Sequence, residues 1–206
     1  MILAAFYIVG VGLCAAADTK PRSDIIQIPI PSANKSQAYY RGAMAVLKNP
    51  ANLHLKWFSS DLKESLANCL VSEFKSVQGE DYHRTLGPNF KSKETEEEQN
   101  PLQQARPEVT ITVHSQPSSW PYITVSGPIE EHWTDPKDIL FANPNCILLE
   151  ARLRPRRNVS CVVFAPRPKG QKCVSMAQKY CSTGQNVDFS QCEPDSKAKP
   201  NIPKKK

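Results

Sequence analysis

The chain has 206 residues, 40% hydrophobic and 22% charged, with a formal net charge of +6 at pH 7. That length fits one domain with tails, and beyond residue 17 no run is long and apolar enough to cross a bilayer as a helix. No internal repeat, Walker loop, GxSxG or HExxH is present, and four scattered histidines supply neither a nucleophile–base pair nor a metal cluster, which argues against an enzyme.

Residues 1–17 are apolar and uncharged and end in small residues, with Ala15 and Ala17 at the positions a signal peptidase reads. The run is shorter than the ~20 residues of a spanning helix. A cleaved signal peptide is expected, and with it a secreted, extracellular protein that begins at Asp18 and keeps the whole net charge. Residues 18–35 hold several prolines without periodicity and read as a flexible segment. Tyr40, Ala43, Met44 and Leu47 then fall at helical spacing and predict a helix over 36–48, with Ser36 as its N-cap and Asn49-Pro50 as its stop.

Short strand-like runs follow. Leu53, Leu55 and Trp57 alternate with His54 and Lys56. A second run covers 67–77, with Leu70 and Phe74 on one face and Cys69 and Val71 on the other. A weaker run over 82–90 is interrupted by Gly87-Pro88, and 91–106 is acidic and polar (Glu94-Thr-Glu-Glu-Glu98), as an exposed loop is. In 108–114, Val109, Ile111 and Val113 alternate with Thr110 and Thr112. Runs at 120–126, 138–142, 146–152 and 160–165 complete the set, with Pro128, Pro136, Pro144 and Pro166 between them. Some eight strands with short turns predict an all-β domain, a closed antiparallel barrel or a sandwich. A helix is predicted over 173–181, with Val174, Ala177 and Tyr180 as its stripe, and a last short strand over 187–189. The end of the chain, 193–206, carries Lys197, Lys199 and Lys204-Lys205-Lys206 and reads as a disordered basic tail, the kind of segment that also binds heparin-like polyanions.

Of seven cysteines, Cys14 lies in the signal run. Cys69, Cys146, Cys161, Cys173, Cys181 and Cys192 remain, an even number that implies three disulfides in one of fifteen connectivities. There is no CxxC, and none of His54, His83, His114 and His132 lies among the clustered cysteines, so neither a metal nor another cofactor is expected. Asn34-Lys-Ser and Asn158-Val-Ser are sequons, expected at the surface.

A leading helix, a Trp-containing first strand and a cysteine in the second strand come first. Asn145-Cys146-Ile-Leu-Leu and Cys161-Val-Val-Phe follow, then Cys173 and Tyr180-Cys181 on a terminal helix, then Asp188-Phe-Ser-Gln-Cys192. From about Tyr39 to Cys192 this order resembles the tick salivary lipocalins, the histamine-binding family. The resemblance implies an eight-stranded antiparallel barrel domain over 36–192, with an N-terminal and a C-terminal helix outside and a ligand inside. It implies the pairs Cys69–Cys192, Cys146–Cys173 and Cys161–Cys181. It implies a monomer that sequesters a small host mediator, an amine or a lipid, to damp inflammatory and haemostatic defence, with no nucleic-acid or membrane partner. The same fold also supports an alternative, an inhibitor of a host protein such as complement acting through its loops, which the acidic loop and basic tail favour. The family's amine signature is a cysteine and an aliphatic residue, then Glu-Leu-Trp on the next strand. Cys146-Ile147 matches the first part, and Val162-Val163-Phe164 occupies the second without its acid.

An amine guest needs a carboxylate and an aromatic face; an anionic lipid needs an apolar slot and a cation. The candidate acids are Glu73, Glu108 and Glu150, with Asp81 and Asp138 also near strands; the candidate cations are Arg84, Lys56, His54 and His83. Phe74, Trp120, Tyr122 and Phe164 are candidate aromatic walls, and Trp57 is a candidate that reads better as barrel-closing core.

Overall fold

A computed structural model describes residues 28–90, 106–116, 119–151 and 159–194. The expected signal peptide, the acidic loop at Glu94–Glu98, the Asn158 sequon and the basic tail lie outside the described residues. Helix α1 is Ala33–Leu47, so it starts earlier than the sequence suggests. Ser32, not Ser36, takes the extended N-cap position. Ser36 sits inside the first turn, where its N–H donates to the Ser32 carbonyl at 2.9 Å and its hydroxyl to the Ser119 carbonyl at 3.0 Å. Asn34 is exposed at the start of this helix.

Among the described residues eleven strands follow: β1 Leu53–Ser59, β2 Leu70–Ser72, β3 Phe74–Gln78, β4 Asp81–Thr85, β5 Gly87–Pro88, β6 Glu108–His114, β7 Tyr122–Ser126, β8 Lys137–Asn143, β9 Cys146–Glu150, β10 Cys161–Ala165 and β11 Gly184–Asn186. A one-turn helix, α2 (Glu131–Thr134), precedes β8, and α3 (Gln171–Tyr180) follows β10. Every pairing is antiparallel, in the order β3-β4-β6-β7-β8-β9-β10-β1-β2-β5, with β11 added to β1. The result is a mostly-β, curled antiparallel sheet flanked by two longer helices. The ends of the path are neighbours in the chain: only Glu73 separates β2 from β3, and only Leu86 separates β4 from β5.

Three strand expectations change. The run over 67–77 breaks at Glu73. The run over 82–90 breaks at Leu86, while Gly87-Pro88 is itself strand, paired with Val71 and Leu70; proline is tolerated there because β5 ends the path. The last strand lies at Gly184–Asn186 instead of 187–189, and Phe189–Gln191 is a 3-10 turn. Gly184 is required at that place, since a Cβ on it would lie 2.2 Å from the Trp57 ring.

The wall is apolar on both faces along β8, β9, β10 and β1. One cluster fills the inside, with Leu53, Leu55, Phe58, Ile139, Ile147, Leu149, Val162 and Phe164. A second lies outside under α3, with Trp57, Leu140, Phe141, Leu148, Val163, Val174 and Ala177. All five residues of β10 are buried for this reason. The register shifts between Leu55 and Trp57, so the simple alternation of the first strand fails: Trp57 turns outward and Phe58 inward. A second shift between Ile139 and Phe141 does the same in β8.

Three disulfides join Cys69 to Cys192, Cys146 to Cys173 and Cys161 to Cys181, the pairs that the resemblance implies. Each links the sheet, or the residue just before β2, to the segment after β10. Among the described residues no helix is long and apolar enough to cross a membrane.

Candidate ligand chamber and its mouth

Inside the sheet lies a cavity of about 40 Å3 lined by Leu47, Leu53, Ser72, Leu86, Ile111, Ile123, Val125, Trp133, Ile147, Leu149 and Phe164. Strand alternation builds it. Ile123 and Val125 point in while Tyr122 and Thr124 point out, and Ile111 faces Val125 across the β6–β7 pair. Leu47, the last residue of α1, enters from the helix. Trp133 enters from α2 and meets the Phe164 ring at 6.1 Å and 64°.

A larger hollow of about 550 Å3 lies between the β1–β2 connection, which contributes Ser65, Leu66 and Ala67, and the β7–β8 connection, which contributes Pro128, Ile129, Glu130 and Trp133. Leu86 and Trp133 line both spaces. They therefore form the partition between an outer vestibule and the inner chamber.

Of the residues named from sequence, Phe164 lines the chamber. Arg84 does face inward and is fully buried, but its donors are engaged in the fold. Its Nε donates to Ser72 Oγ at 2.9 Å, Nη1 to the Leu47 and Asn49 carbonyls at 2.8 and 3.0 Å, and Nη2 to the Ala51 and Ser72 carbonyls at 3.0 and 2.8 Å. These are the carbonyls at and beyond the end of α1, where a cation is favoured. Burial lowers its guanidinium to about 10, opposed by the charge of Glu73; at neutral pH it stays charged. The half-buried Phe74 lies under that guanidinium, 5.7 Å from ring centre to carbon.

The other candidates lie elsewhere. Glu73, at the β2–β3 break, pairs with Arg106 and, at 3.8 Å, with Lys75 in a separate surface hollow of about 330 Å3. Glu108 is exposed, 4.0 Å from His83, and Asp81 accepts the Thr112 hydroxyl at 2.6 Å. Tyr122 stacks on His114 at 4.6 Å on the outer face, and Asp138 is its cross-strand neighbour. Trp120 stacks on Tyr39 of α1 at 6.2 Å, outside the sheet. Glu150 is half-buried and follows the inward Leu149, which directs it to the opposite face. His54 and Lys56 pack on Phe189, His54 edge-on at 5.9 Å and Lys56 with its Nζ 4.4 Å from the ring centre.

Sequence reasoning missed Leu86, Trp133 and Lys137. Lys137 is 2% exposed and pairs with Ile123, a chamber residue. Directly paired residues share a face, so this lysine stands on the inner side of the wall. A lysine at a strand start reads as solvated, and nothing in its neighbours signals otherwise.

No family model matches the chain, and no curated protein matches it. Among solved structures, Japanin from Rhipicephalus appendiculatus, bound to cholesterol, matches over 72% of this chain and 97% of its own. The identity is 18% and the TM-score 0.51. The fold is a lipocalin fold. Apocrustacyanin C2 matches over 81% of this chain and 96% of its own, at 10% identity and a TM-score of 0.48. Within this fold the vestibule and the chamber adjoin at Leu86 and Trp133.

Proposed function

We propose that the chain is a secreted lipocalin of the tick salivary type that holds one small, predominantly apolar molecule inside its barrel. In this reading β2–β3 and β4–β5 each count as one stave and the short β11, added beside β1, is left out, which makes eight. By trapping a lipid mediator stoichiometrically the protein damps a host's inflammatory and haemostatic defence. The observation that carries the reading is the chamber lining: ten apolar side chains and the Ser72 hydroxyl, with neither a carboxylate nor a cation among them.

An ammonium group within the chamber has no partner, since the one carboxylate nearby, Glu130, lines only the vestibule, and burying it unpaired costs far more than the apolar contacts return. The two positions that depart from the amine signature support the same choice, because Val162 and Phe164 are interior core residues. The chamber alone has room for a few waters. A guest therefore displaces the Trp133–Leu86 partition and occupies chamber and vestibule together; the vestibule's 550 Å3 lies within the ~300–1,000 Å3 usual for small-molecule sites. Japanin was solved with cholesterol bound, a guest of the class this lining favours.

The test is native mass spectrometry of the refolded protein after incubation with histamine, serotonin, a leukotriene, a long-chain fatty acid and cholesterol. Retention of a lipid is expected. Retention of an amine refutes the apolar assignment. Retention of nothing by correctly folded protein refutes the trap and leaves the loop-borne inhibitor of a host protein as the working reading.

A further inference from the structure

The chain's charge is divided unevenly. Residues 1–150 hold thirteen Lys and Arg against seventeen Asp and Glu, whereas residues 151–206 hold thirteen against three. No acidic residue occurs from 159 to 187. Where this basic final quarter meets β1, one described cluster is arranged around a single ring. The Arg167 guanidinium carbon lies 4.2 Å and Lys56 Nζ 4.4 Å from the centre of Phe189. Lys56 also runs alongside Gly170, the residue before α3: a Cβ built there would be 3.5 Å from Lys56 Cγ. Lys169 is exposed next to it. The first turn of α3 holds no acid and has no side-chain cap. The neighbouring acid, Asp188, is already engaged by the Ser190 N–H and hydroxyl, each at 2.9 Å.

Arg167 carries the decisive detail. Its Nε and Nη2 are buried and make no hydrogen bond among the described residues. Buried polar groups are nearly always paired, and a charged fork left unanswered is costly. An oxyanion is the partner that matches two adjacent guanidinium N–H vectors. We propose that Arg167, Lys56 and Lys169, set around Phe189 at the base of α3, bind the sulfate groups of a sulfated polysaccharide, the Arg167 fork turning out from its buried position to meet them. This site is outside the barrel and does not depend on the guest within it. A chain of sulfates suits a basic surface in an extracellular protein. A membrane fits less well, because the exposed large apolar side chains among the described residues are Ile30 and Phe90, neither in this cluster, and an interfacial anchor needs apolar insertion beside its charges.

The experiment is titration of the full mature chain with heparin at several salt concentrations. It compares wild type with R167Q/K169Q and with K48Q/K63Q, which removes the same charge from two exposed positions elsewhere. R167Q/K169Q should weaken binding about tenfold near physiological salt and lower the salt slope by roughly two, as expected for two lost ionic contacts. K48Q/K63Q should stay within about twofold of wild type, by the same count of contacts. Equal losses in the two doubles overturn the proposal, since net charge alone would then explain binding. Tighter binding to phosphatidylserine vesicles than to heparin, lost in R167Q/K169Q, overturns it in favour of a membrane surface. If near-UV circular dichroism shows R167Q misfolded, R167K and K169Q carry the test. R167K keeps the charge but not the fork and should lose several-fold; unchanged heparin affinity in both overturns the assignment.

Discussion

Replacing Arg84 with methionine removes five hydrogen bonds without opening a large hole. The Asn49 and Ala51 carbonyls lie on partly exposed turns and can turn to water, but the bonds to Leu47 and Ser72 are buried. Each buried carbonyl left without a donor costs about 1–3 kcal/mol. Part of that is returned, because the guanidinium no longer has to be desolvated, the burden that lowers it to about 10. A net loss of about 3 kcal/mol follows. With a urea slope of about 2 kcal/mol per molar for a domain of this size, the midpoint should fall by about 1.5 M. Equilibrium urea denaturation with the disulfides intact, followed by tryptophan fluorescence, measures it. A fall below about 0.5 M refutes the argument that Arg84 holds the end of α1 to the sheet. A variant of full stability that loses an acidic lipid would return Arg84 to the guest's side.

Gly42→Ala should destabilise, although alanine is ordinarily the better helix former by about 1 kcal/mol. A Cβ there meets the Ala142 carbonyl oxygen at 2.5 Å, so α1 must lift from β8. The loss should be about 2 kcal/mol, read as a melting point lower by roughly 6 °C; an unchanged melt refutes the contact. Removing Cys69–Cys192, 123 residues apart, should cost more than removing Cys161–Cys181, 20 apart, at about 5 against about 3 kcal/mol in the chain-entropy model. Urea denaturation of the two double-alanine variants gives the order, and a reversed order refutes the loop argument. Trp133→Ala should speed association of a fluorescent fatty acid in stopped flow while lowering stability by about 3 kcal/mol. An unchanged association rate would mean that Trp133 is no part of the partition.

The elements legible in the sequence are those whose two faces meet different surroundings. In β6, Val109, Ile111 and Val113 face the core while Thr110 and Thr112 remain half-exposed, and its bounds could be read directly. Strands clad on both faces lose that contrast. The bulges at Leu55/Trp57 and Ile139/Phe141 then reverse the facing of every later side chain, and a change of register leaves no mark in composition. That is why Trp57 reads as barrel interior yet stands under α3. The chamber was less legible than the fold for the same reason: Trp133 reaches it from a one-turn helix and Leu86 from a break between strands, positions with no periodicity to read. Arg84 shows the other limit. Its type and strand were visible, but its acceptors are main-chain carbonyls, and those are visible only once the chain has folded.

The three disulfides stitch the final segment to the sheet, and none joins one stave of the sheet to another. Their loss would leave the staves hydrogen-bonded but free the cladding. Trp57, Leu140, Phe141, Leu148 and Val163, now under α3, would become an oily outer wall. A chain made where thiols stay reduced is therefore prone to clump through the outer face of its sheet, not through the vestibule.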